Sequence, residues 1–332
     1  MSDMTLDLAR LMVVRRARWT TIEIAFWIAA AASYVLFPTK LVLLTQILIG
    51  GLFAMSLDLL LGYGGIPSFG HAAFFGLGAY AAGLLAAHGW GEPLSGVVAG
   101  GVAAGGLGFA FSSVIARVRG AAVLMVTLCI GLLLFEAASR MPSLTGGDTG
   151  LQGIEMWPLL GLFEFDLFGR TGFWYTYAVA FLLYLVARRY IHSPEGLALK
   201  GIRENHDRVP MLGVSTIHRK MIAFTISATI AGMAGALLAQ TTQIVALETL
   251  SFERSVAALV MLIVGGLGTL IGGFIGAAAF IWARDVLSAL HPVYWMFWLG
   301  LVLIALVLTA RGGLVGALTL LTDYLARTRR TR

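Results

Sequence analysis

The sequence predicts an all-α polytopic membrane protein, on three observations. The 332 residues are 59% hydrophobic and only 12% charged, where a soluble domain carries about a quarter charged residues and can cover its surface with them. Several apolar stretches reach the roughly 20 residues that a helix needs to cross about 30 Å of hydrocarbon. Segments such as 299–308 are apolar on every face, whereas a barrel strand alternates polar and apolar positions. Only helices and closed barrels satisfy their backbone groups in lipid, so helices remain.

About ten spans follow along the chain. The first, 20–37, comes after Arg10, Arg15, Arg16 and Arg18 with no small-residue cleavage site between. Residues 1–19 are therefore expected to form a basic cytoplasmic segment rather than a cleaved signal. The second, 41–61, runs into LGYGGIPSFGHAAFFGLG, which places six glycines, Pro67 and His71 within 62–78. A broken or re-entrant segment is expected near 62–70 before the third span, 69–88, because irregular backbone at membrane depth survives only when buried in protein or lining a cavity. Arg117 and Arg119 separate the fourth span, 94–116, from the fifth, 121–140. The fifth carries Cys129, whose solitude excludes an intrachain disulfide.

An acidic segment, 141–171, leads to the sixth span, 172–190, which ends on Arg188 and Arg189. The polar stretch 192–216 follows, then the seventh span, 218–240. Spans eight and nine, 254–270 and 272–290, meet at GGLGTLIGG; a re-entrant turn there would lower the count to eight or nine. Span ten, 293–310, closes the permeating domain 20–310, and a basic tail, 311–332, follows.

Charge sets the orientation. With both termini cytoplasmic, 18 of the 23 Lys and Arg residues fall on the inner side, and Asp148, Glu155, Glu164 and Asp166 face out. The net charge of +6 is then a product of topology and of an anionic inner leaflet. No basic-aromatic interleaving points to nucleic acid.

Within 192–216, Ser193-Pro194-Glu195 is a helix start: a capping hydroxyl, proline at the first position and an early carboxylate. Leu197, Ile202 and Leu199 would form the apolar stripe of a short helix, and Pro210 and Gly213 would break and end a second turn. Such a segment fits either an interfacial helix or a docking element for a cytoplasmic partner.

Chemistry on this chain finds little support. The three lysines, Lys40, Lys200 and Lys220, never follow a glycine, so a phosphate-binding P-loop is absent. The six histidines lack ligand spacing, so no metal site is expected. Ser68 and His71 are close enough in sequence to suggest a nucleophile and base, but spacing alone guarantees no geometry. His71 either lines a route or bonds backbone freed by the glycine break. Intramembrane carboxylates mark ion-coupled secondary transporters, which makes Glu23, Asp58, Glu136 and Asp285 the candidates for that alternative. The small residues of GMAGAL and GGLGTLIGGFIGA favour close helix packing.

Three separated stretches resemble the permease subunits of branched-chain amino acid ABC importers. They are MSLDLLLGYGG with SFGHAAFFGLGAYAAGLL; SLTGGDTGLQGI; and SPEGLALKGIRENHDRVPMLGVSTIHRKMIAFTISATIAGMAGAL with MLIVGGLGTLIGGFIGAA. They cover most of 55–310 in the family's order. The resemblance implies a multi-pass protein of the bacterial inner membrane that pairs with a second permease, related but non-identical. It also implies separate cytoplasmic ATPase subunits, which carry the ATP and Mg, and an extracytoplasmic binding protein. On these grounds the translocation route is expected at Asp58, Tyr63, Gly64, Gly65, Ser68, His71 and Phe74. The ATPase-coupling loop is expected at Glu195, Gly196, Lys200, Arg203, Glu204, Asn205, Arg208, Leu212 and Gly213, and binding-protein contact at Thr145, Gly146, Gly147 and Asp148. The chain departs from the family at Leu197, where a basic residue is frequent, at His206, where an acidic one is, and at Val209-Pro210. Urea, short amides and aromatic acids pass through similar permeases and stand as alternative cargo.

Overall fold

The computed structural model describes residues 19–166, 168–309 and 312–317. The expected basic segment 1–19 and tail 311–332 lie almost wholly outside the described residues. Within them the fold is helical, with two isolated bridges and no strand.

A helix stands at each of the ten positions expected from the sequence. These are α1 (Thr21–Leu36), α2 (Leu41–Gly64), α3 (His71–Ala87), α4 (Pro93–Ile115) and α5 (Ala121–Ser139), then α6 (Arg170–Ile191), α8 (Thr216–Thr242), α9 (Phe252–Gly265), α10 (Ile271–Leu290) and α11 (Trp295–Thr309). The amphipathic α7 (Pro194–Glu204) lies between α6 and α8. Five of them, α2, α4, α5, α8 and α10, are long and apolar enough to cross a membrane, and α1 and α3 are shorter apolar helices. The 14 residues of α9 reach about 21 Å, short of the hydrocarbon thickness.

The core forms where backbones come close. Helix α8 packs along α3 and α4, and α2 packs along α6, α8 and α10. A side chain at Gly78 would run into the backbone of Gly232, and one at Gly232 into Gly100 and Ala104. The small-residue stripe of GMAGAL thus seats α8 against two neighbours, as expected from its spacing. Helices α9 and α10 form an antiparallel hairpin, with Gly265 against Gly272 and Gly276 against Met261. Helix α1 docks through Trp27, whose ring meets Tyr177, Phe181, Tyr184 and Phe274 at 5.0–5.5 Å.

Candidate functional site

Two segments outside the α-helices enter the helical bundle from opposite ends. The first begins where α2 stops. Gly65 takes the left-handed conformation (φ 65°, ψ 25°) that glycine adopts without steric cost. Residues 66–70 then run without helix to His71, the first residue of α3. His71 Nε2 lies 2.8 Å from Ser56 Oγ, and Ser56 sits eight residues before the end of α2. Residues 66–70 therefore climb about 12 Å back along α2, which is the break expected near 62–70.

The second segment follows α8. Gln243 caps it with a positive φ of 55°, and residues 243–251 then descend along α3. Val245 pairs with Leu151 and lies against Gly83, while Leu250 lies against Gly76. Ser255, one turn into α9, accepts the Ala72 N–H at 2.9 Å. The descent thus ends level with His71, and α9 starts there as a short helix capped by Ser251, whose hydroxyl accepts the Arg254 N–H.

Where the segments meet, Phe69 and Phe252 touch edge to face at 5.7 Å. Beside them is a cavity of about 190 Å³. Its apolar wall is Leu128, Leu132, Phe135 and Leu250, and its polar groups are Ser251, Glu253 and Ser255. The start of α9 borders it, and so does Phe69, two residues before α3. Helix N-termini carry unpaired N–H groups and the positive end of the helix dipole, so this arrangement can hold a carboxylate next to an apolar chain.

The expected route residues divide around this cavity, and none is part of its lining. Ser68 and His71 are level with it and fully buried. Ser68 Oγ has no hydrogen-bond partner and His71 bonds Ser56 while stacking on Phe53 at 5.4 Å, so the Ser68–His71 pair weighed as nucleophile and base does not form. Phe74 packs edge-on against Phe224 at 5.4 Å. Asp58, Tyr63, Gly64 and Gly65 lie lower, beside α7. Sequence reasoning missed Phe69, Ser251, Phe252 and Ser255. The available signal was the Ser-Phe dipeptide that recurs at 68–69 and 251–252.

Asp58 is fully buried and acts as a clamp. Its Oδ1 accepts the Gly268 N–H at 2.7 Å and its Oδ2 the Leu270 N–H at 2.9 Å. It thereby closes the turn between α9 and α10, where Leu270 holds a positive φ of 52°. A side chain at Gly62 would strike both the Asp58 carboxylate and the Gly268 backbone. The other carboxylates weighed for ion coupling are also partnered. Glu23 forms a capping box with Thr20 and faces Arg188 at 3.6 Å. Glu136 pairs with Arg140 at 2.6 Å, and Asp285 with Lys40 at 3.1 Å.

Helix α7 sits on this clamp. Ser193 Oγ accepts the Gly196 N–H, proline occupies the first turn, and Glu195 forms an ion pair with Arg219. Arg203 donates to the Gly62 carbonyl and its stem covers Gly65. Lys200 lies 4.9 Å from the centre of the Tyr63 ring. The buried stripe is Gly196, Leu199 and Ile202. Leu197, expected on that stripe, is instead exposed, because a position one residue after Gly196 points about 100° away around the helix. Asn205 Oδ1 accepts the N–H groups of Asp207 and Arg208 and turns the chain; Glu204 and Arg208 are exposed. The loop ends in a single turn, Pro210–Leu212, closed by left-handed Gly213, with Met211 and Leu212 at least 80% exposed. At the opposite end, Thr145 is buried and bonds the Ala138 carbonyl at 2.8 Å. Gly146 and Gly147 complete the turn with positive φ, and the Asp148 side chain lies outside the described residues.

Comparison with known proteins agrees with this architecture. Residues 41–320 match the family described as "Branched-chain amino acid transport system / permease component", and the chain belongs to that family. It is 28% identical over 316 residues to the high-affinity branched-chain amino acid transport system permease protein LivM of Salmonella typhimurium, covering 87% of this chain and 72% of the relative. It is 29% identical over 292 residues to the protein of the same name from Escherichia coli, covering 80% and 67%. No solved structure gives a significant match.

Proposed function

We propose that this permease-family chain forms half of the translocation route of an ABC importer for branched-chain or related amino acids, and that substrate passes through the cavity at Phe69 and Phe252. The observation that carries this reading is the meeting of two broken segments at Phe69 and Phe252, beside a cavity. Broken helices whose N-termini face a central cavity are a recurrent way to hold an anionic group in a membrane. In this reading the substrate carboxylate rests on the start of α9, and its aliphatic chain against Leu128, Leu132 and Phe135. The second permease closes the exposed side of α5.

The remaining parts follow from the family and the charge pattern. The chain sits in the bacterial inner membrane with about ten spans and cytoplasmic termini. ATP is hydrolysed, with Mg, on separate subunits that dock on 192–216, presenting Met211 and Leu212 outermost. Arg203 and Lys200 pass movement of α7 to the end of α2. The turn Thr145–Asp148 faces an extracytoplasmic binding protein.

The test is uptake by the assembled importer in proteoliposomes. Leu132→Trp, which places a bulky ring in the cavity, abolishes leucine uptake while ATPase subunits still bind. The pair Met211→Asp and Leu212→Asp abolishes ATPase binding while the permease stays folded. Leucine uptake that survives loss of ATP hydrolysis and follows an ion gradient instead assigns a secondary transporter. Full uptake by Leu132→Trp removes this cavity from the route.

A further inference from the structure

A second cavity, of about 620 Å³, lies below the first, between the 64–67 break, the turn joining α4 to α5, and helix α7. Its lining includes Arg119, Arg203, His206, Asp207 and Lys220. Three basic side chains therefore face one space that holds one carboxylate. Asp207 is engaged by Arg119 at 3.1 Å, and Arg203 uses one N–H on the Gly62 carbonyl. Lys220 is different. It is only 8% exposed, and among the described residues its ammonium has no ion pair and no hydrogen bond. Its donors border this open space and are left to water or to an anion.

We propose that this cavity binds a phosphate-bearing anion, with Lys220 and Arg119 as its principal contacts. A lysine ammonium is a compact three-donor charge, and arginine adds a planar fork suited to phosphate oxygens. The His206 imidazole, pushed below its ordinary pKa by burial and by the Lys220 and Arg119 charges, supplies a neutral ring that can donate one further hydrogen bond. The volume exceeds what a bare oxyanion needs and admits a glycerophosphate headgroup. Basic pockets between helices on the inner side of membrane proteins take such groups from anionic lipids. A bound anion would bridge α8 and the α4–α5 turn to the base of α7, so occupancy would stiffen the segment read above as the coupling loop. This placement on the inner leaflet rests on the orientation proposed above, whereas the anion site itself does not.

The experiment is a thermal-shift titration of the purified full-length chain in detergent. The probes are phosphatidylglycerol, phosphatidylcholine and inorganic phosphate, and each protein is compared with its own lipid-free midpoint. Phosphatidylglycerol raises the wild-type midpoint and phosphatidylcholine does not. Lys220→Gln weakens the apparent affinity by about tenfold or more, the loss expected for a charge-assisted hydrogen bond. Arg119→Gln weakens it to a lesser degree, since that side chain is exposed and shared with Asp207. A shift by inorganic phosphate alone assigns the same site to a soluble phosphate. An equal response to phosphatidylcholine, no response, or an unchanged response in Lys220→Gln overturns the proposal. Sidedness is read separately, with Met211→Cys in a Cys129→Ser background labelled by an impermeant reagent. Labelling from outside right-side-out vesicles removes the inner-leaflet placement and leaves the anion site intact.

Discussion

Replacing Asp58 by asparagine separates a clamp from a transport residue. Each carboxylate oxygen accepts one backbone N–H, from Gly268 and Leu270, at 2.7 and 2.9 Å. Asparagine keeps one acceptor and turns an NH₂ group toward the other N–H. One charge-assisted bond, worth about 1.5–3 kcal/mol, is lost, and a buried donor is left unpaired. A net cost of about 3 kcal/mol is expected, concentrated on the turn between α9 and α10, where Leu270 already holds a positive φ. Local opening of that turn should then rise by roughly a hundredfold, at about 1.4 kcal/mol per factor of ten. The assay is hydrogen exchange read by mass spectrometry on peptides spanning 266–271, with wild type and Asp58→Asn in the same detergent. If those amides exchange at the wild-type rate while leucine uptake falls, the clamp reasoning is refuted and Asp58 acts in the route.

Two further outcomes follow from the packing. Gly70→Ala sets a methyl group against the Thr127 carbonyl oxygen, at the place where Phe69 N–H meets Thr127 Oγ1 at 3.2 Å. A cost of about 1–3 kcal/mol is expected from this overpacking, read as a lower thermal midpoint, and an unchanged midpoint contradicts the contact. Burial and the Lys220 and Arg119 charges hold the His206 imidazole below its ordinary pKa, so as pH drops through about 6.5 the unfolded chain binds more protons and stability decreases. His206→Gln should flatten that part of the thermal-midpoint profile; identical wild-type and variant profiles between pH 7 and 5.5 would exclude the linkage.

Much of the fold was legible because each helix announces itself locally. The Ser193-Pro194-Glu195 start, the glycine stop at Gly65, the arginines after α4 and those in the last turn of α6 act within one turn of where they stand in the chain. The break near 62–70 was equally local, since Pro67 lacks the N–H that a helix needs and the glycines before it lower helix propensity and allow a left-handed stop. Asp58 was different. Its position before the glycine break marked it as an intramembrane carboxylate, but its partners Gly268 and Leu270 lie more than 200 residues away. The same holds for His71, whose partner Ser56 sits on the preceding helix rather than at Ser68.

The amino-acid sequence by itself determined that the chain is helical, membrane-class and built around an interrupted second span, and its motifs carried the family. Composition and hydropathy suffice for that, because lipid leaves the backbone only one way to satisfy itself within a short segment. The tertiary structure alone decided what the interruption packs against. Two segments far apart in the chain descend from opposite ends, and only packing brings Phe69 to Phe252 and Ala72 to Ser255. The broken segment places Phe69, not its glycines, at the cavity. Packing also put Asp58 and Arg203 on either side of Gly62 and, among the described residues, left Lys220 without an ion pair. Such pairings follow from which helix faces which, and no local pattern in a sequence encodes that.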